Sequence, residues 1–176
     1  MKKSRNGLRI IILSMLGTTL AIAGIATWLA VPLVPTTLVS RPSDSQMIKS
    51  FQAYREQYNQ LLQMFQTDKR LESVGEQDSD WSPSPESASI DNARLQKYKA
   101  LLEQLHVLSL VRSGAPHGFE FMTYVAGLLN HGYYKGYFYL EKPPSPLVGD
   151  TAAPNAPVGD SYRHLEGNWY IWYEDF

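Results

Sequence analysis

Residues Ile10–Val31 are 22 consecutive positions without a charge or a proline. As a helix they extend about 33 Å at about 1.5 Å per residue, enough to cross a hydrocarbon core of about 30 Å. Lys2, Lys3, Arg5 and Arg9 precede this stretch, and no charged residue follows it until Arg41. That bias predicts a cytoplasmic N-terminus at 1–9, a membrane anchor at 10–31, a linker at 32–42 and an exported domain at 43–176. The competing reading is a cleaved signal, for which Ala21-Ile22-Ala23 and Gly24-Ile25-Ala26 offer small residues at suitable spacing. A signal's apolar core is about 7–15 residues, whereas this run continues through Trp28-Leu29-Ala30-Val31, so retention is expected.

The charge of the exported part narrows its partners. All 17 acidic residues follow residue 9, while four of the 16 Lys and Arg lie within residues 1–9, leaving the remainder with five more acids than bases. It has no basic stripe of the kind nucleic acid needs, so no nucleic-acid partner is expected. The chain has no cysteine. Disulfides, thiolate chemistry and cysteine zinc sites are therefore excluded, and the domain must rest on its core alone. A bacterial inner-membrane protein with a periplasmic domain fits this combination.

Pro32 and Pro35 end the anchor helix. Ser43 followed three residues later by Gln46, with Asp44 between, is a capping box with an acid in the first turn. Met47, Phe51, Tyr54, Tyr58, Leu61 and Phe65 then recur at alternating spacings of four and three, predicting one helix over about 44–70. Ile48 and Leu62 widen this seam; aromatics then fill half of it and glutamines flank it, which suits an intramolecular core better than a coiled coil. Glu72–Ser89, rich in Ser, Asp and Pro, is expected to be a loop pinned to the core by Trp81. A second helix over about 90–106 follows, capped by Ser89 or Asp91, with Tyr98, Leu101 and Leu105 on its inner face.

Beyond His106 the period falls to two. Val107–Arg112, Phe119–Ala126, Tyr133–Glu141, Tyr162–Leu165 and Trp169–Glu174 read as strands, with a hairpin turn at Asn130-His131-Gly132. The expected fold is α+β, with two amphipathic helices packed on an antiparallel sheet of four to five strands. Pro143–Asp160 contains five prolines and no Lys or Arg and reads as an extended surface loop.

No catalytic motif is present: there is no G-x-S-x-G, no S-x-x-K, no Gly-rich phosphate loop and no histidine spacing suited to a metal. No catalytic residue, metal or cofactor is therefore expected, and His106, His117, His131 and His164 read as turn and surface residues. Aromatic density is the feature left over, with eight Phe and Tyr in residues 119–139. On the last strand Trp169, Ile171 and Tyr173 alternate with Tyr170, Trp172 and Glu174, so one set fills the core and the other lies on the opposite face. With helices on one face only, Tyr170 and Trp172, with Tyr162 and Trp169, form the expected protein-binding surface. Covering of both faces by helices or the Pro-rich loop is the alternative. The functional expectation is a membrane-anchored, non-enzymatic interaction protein, such as an envelope-assembly factor or a toxin-neutralising protein. A glycan-binding or glycan-acting protein using His164, Glu166 and Glu120 is the second reading.

Overall fold

A computed structural model describes residues 41–176, apart from 115–117, 129–130, 154–155, 157–158 and 176 and the side chains of Asp78, Leu128 and His131. The anchor expected at Ile10–Val31, the turn at Asn130 and His117 lie outside the described residues. Within them, no helix is long and apolar enough to cross a membrane.

The order is α1 (Asp44–Ala53), α2 (Arg55–Thr67), β1 (Ser73–Gly75), a 3-10 turn (Asp78–Asp80), α3 (Asn92–Leu105), then β2 (Ser109–Ser113) and β3 (Gly118–Leu128). It continues with β4 (His131–Leu140), β5 (Ser161–Glu166) and β6 (Trp169–Asp175). The strands form one sheet of six in the order β1-β2-β3-β4-β6-β5, every neighbouring pair antiparallel. The α+β expectation holds in outline. The sheet has one strand more than expected, because β1 lies inside the stretch read as a loop. Three residues are too few to show a period, and tertiary pairing with β2 makes the strand.

The capping box forms as expected: the Gln46 amide donates to Ser43 Oγ at 3.3 Å and the Ser43 amide to Gln46 Oε1 at 2.8 Å. The single long helix does not. It breaks at Tyr54 (φ −120°, ψ 21°), and the ring of Tyr54 is 39% exposed. No proline or glycine marks the break. The core supplies the reason: seven residues of straight helix advance about 10.5 Å, yet the Phe51 and Tyr58 rings stack at 5.5 Å. Both then meet Tyr137 of β4, at 5.6 and 4.9 Å, and Trp169 of β6, at 5.2 and 6.1 Å. This aromatic hub fastens α1 and α2 to the centre of the sheet.

The C-terminal end of α2 has no basic residue of its own. Its carbonyls are met from outside, by Arg94 Nη2 to Met64 O at 3.1 Å and Arg112 Nη2 to Phe65 O at 3.0 Å. These cations also oppose the negative end of the helix dipole. Asp91 caps α3, accepting from the Arg94 amide at 2.7 Å. Trp81 is 6% exposed and donates to Gly75 O at 3.1 Å, so it pins its loop as expected.

Strand alternation divides the sheet. Phe121, Tyr137, Trp169 and Ile171 join the helices in the main core, while Phe138, Leu140, Tyr162, Tyr170 and Trp172 form a separate buried cluster on the second face. The Pro-rich segment runs beside that cluster as a strap. Its Leu147 pairs in parallel with Tyr162 at the β5 edge, through Val148 N to Tyr162 O at 2.8 Å and Tyr162 N to Pro146 O at 3.2 Å.

Candidate functional site

The expected open aromatic row is closed in this structure. Tyr162, Tyr170 and Trp172 are 3–5% exposed on the second face, and Trp169 is 4% exposed in the helix-side core. The reason is mutual packing. Trp172 stacks on Tyr134 and meets Phe138 edge-on, both at 6.2 Å, and Phe138 lies 6.1 Å from Tyr162. The strap's Asp160 accepts from Trp172 Nε1 at 3.4 Å. Trp169 Nε1 donates to Asn59 of α2 at 3.3 Å.

The residues of the alternative site do not converge. A His164 ring nitrogen lies 3.0 Å from Gly167 O at the tip of its own hairpin, and Glu166 pairs with Arg55 of α2 at 3.3 Å. Glu120 belongs to the second face, opposite Phe138 in the register of β3 and β4. Burial and the nearby Asp160 hold its carboxyl above the ordinary range, against a bond from Ser113. Among the described residues no group of three His, Cys, Asp or Glu is arranged to hold a metal ion.

Two features carry the site that the geometry does offer. The first is a cleft of about 560 Å³ where β1 to β4 end, lined by Glu72, Ser73, Arg112, Phe119, Tyr139 and Glu141 among others. Its floor holds one cation. The Arg112 guanidinium packs against the edge-to-face pair of Phe65 and Phe119, whose centroids are 6.0 Å apart, with its carbon 5.1 and 5.0 Å from them, and donates to Phe65 O and, at 3.4 Å, to Leu71 O. The two rings and the two carbonyls together hold the group in place. Glu72 and Glu141 are exposed at the rim.

The second feature is at the other end of the same strands. Arg41, the first described residue, lies with its guanidinium carbon 4.8 Å above the Tyr173 ring and 6.0 Å from that of Tyr133. From Tyr133 to Tyr139 along β4 is six residues, or about 20 Å. The chain thus joins residue 40 at one end of the sheet, and the cleft opens at the opposite end.

Beside Arg41 is a buried charge centre that the reading of the sequence missed. Lys135 of β4 is fully buried, and its Nζ lies 2.6 Å from Asp44 Oδ1 and 2.9 Å from Pro42 O. Asp44, 2% exposed, also accepts from the Thr151 hydroxyl at 2.6 Å, the Thr151 amide at 2.9 Å and Arg163 at 3.4 Å. Burial alone pushes the Asp44 carboxyl up, but the bonds from Lys135 and Thr151 outweigh it and the net shift is downward. Burial likewise draws the Lys135 ammonium down, opposed by Asp44. An isolated lysine at an inward position between Tyr133 and Tyr137 was the signal available in the sequence.

Compared with known proteins, this chain matches no family model, no curated protein and no solved structure.

Proposed function

We propose that this chain is a single-pass, membrane-anchored interaction protein of the bacterial envelope, with its domain in the periplasm and the cleft at Arg112 as the surface that meets a protein partner. The opposition of the two ends of the sheet carries this reading. Arg41, where the described residues begin, lies at the end of β4 opposite the cleft. The cleft combines aromatic wall, a held cation and a charged rim, the make-up of a protein-recognition surface. The apolar run at Ile10–Val31, with basic residues before it, supports the anchor and its orientation.

Site-specific photocrosslinking in intact cells tests it. Crosslinker at positions 72 and 141 should give an adduct of one discrete mass, while position 60, on the exposed face of α2, should not. Adducts from position 60 and none from the cleft would overturn the cleft assignment. The absence of adducts at all three would overturn protein recognition there, and purified peptidoglycan would then be the next ligand to try. Alkaline extraction should leave the protein in the membrane pellet; release into the supernatant would remove the anchor.

A further inference from the structure

Asp44 joins two segments far apart in sequence. It is the first residue of α1, three positions after Arg41, and it holds the strap through both the hydroxyl and the amide of Thr151. On its other side Lys135 bonds both Asp44 and the carbonyl of Pro42, so the beginning of the domain and the strap share one charge centre on a central strand. With five donor hydrogen bonds converging on this centre, four of them on the carboxylate, neither segment can leave without exposing a buried charge.

We propose that this centre is a latch that couples the start of the domain, residues 41–44, to the strap over 146–153, so that displacement of either loosens the other. Leu147, 53% exposed, is the most accessible large apolar residue on the strap among the described residues, and Thr151 lies four residues beyond it. Contact made on the strap is thereby felt at the point where the chain continues to residue 40. The coupling is independent of whether the cleft takes a partner. It is also reciprocal, because both segments bias the same bonded state.

Hydrogen exchange on the full-length protein in detergent tests the coupling in both directions. Thr151→Val removes one bond on the strap side, and Arg41→Ala removes the cation over Tyr173 and Tyr133 on the other. Thr151→Val should speed exchange about tenfold at the amides of residues 44–47 as well as in the strap. Arg41→Ala should speed exchange in the strap over 146–153. Protection in α3 and β3 should be unchanged in both, which separates the latch from general unfolding. The proposal fails if each variant loosens only its own segment, or if all segments loosen together.

Discussion

Lys135 Nζ and Asp44 Oδ1 stand 2.6 Å apart, and both side chains are sealed from water, at 0% and 1% exposure. A pair in this setting is fragile to single substitution, because desolvation has already been met for both partners and either one alone becomes an uncompensated buried charge. Lys135→Met should therefore destabilise the domain by about 3–5 kcal/mol. The double variant Asp44→Leu, Lys135→Met should lose less than the two single variants together. Denaturant unfolding of the four proteins measures the coupling. A double variant that simply adds the two losses would show that the charges act separately.

The aromatic hub makes a sharper contrast. Phe51 and Tyr54 sit three residues apart on the same expected seam, yet Phe51 is 1% exposed and Tyr54 39%. Phe51→Ala empties the space between Tyr58, Tyr137 and Trp169 and should cost about 3–5 kcal/mol. Tyr54→Ala changes a solvated ring and should stay within about 0.5 kcal/mol of the parent. Equal losses would mean that the helix runs straight through Tyr54.

These two cases show what the sequence could and could not disclose. Helix starts rest on local chemistry, so Ser43 with Gln46 and Asp91 were legible. Strand alternation was legible too, and it separated Trp169 from Tyr170 and Trp172 correctly. The break at Tyr54 was not, because only the demand that Phe51 and Tyr58 share one hub makes it. Nor was the three-residue β1, whose existence depends on β2 lying beside it. Burial on the second face depends on how Tyr134, Phe138 and Trp172 pack against one another and on where Asp160 reaches, all long-range facts. The Asp44 centre unites residues 91 and 107 positions apart, a relation that composition and periodicity do not encode.

Arg112 closes the C-terminal end of α2 and also floors the cleft. Arg112→Ala leaves the Phe65 carbonyl without this donor and removes a cation packed against two rings. A loss of about 1.5–3 kcal/mol is expected, the usual worth of a hydrogen bond from a charged group. Glu141→Gln, at the exposed rim, should leave stability unchanged. Thermal melts of the two variants check the division between structural floor and accessible rim. Equal destabilisation would place Glu141 in the structural framework as well.

The second face predicts an unusual response to acid. Burial first, then Asp160 and Glu120, hold the Glu174 carboxyl above its ordinary value; Glu120 is raised by burial and Asp160 despite its bond from Ser113. Tyr162, among these acids, is pushed well up by burial and their charge. A carboxyl raised in the folded state binds its proton more tightly there than in the unfolded chain. Its charging subtracts stability above the folded value, and that loss vanishes as pH falls towards the unfolded value of about 4.3. Asp44 has the opposite sign, since its net shift is downward. Its contribution is present above the unfolded value of about 3.9 and disappears as pH falls through the lower folded value. Stability should therefore rise on moving from pH 7 to about pH 5 and fall once Asp44 titrates below about pH 4. Replacing Glu120 and Glu174 together by Gln should raise the melting temperature at pH 7 and have little effect near pH 4, flattening the rise. A parent protein whose melting temperature falls steadily from pH 7 to pH 5 would show that the two carboxyls are not held above their ordinary values.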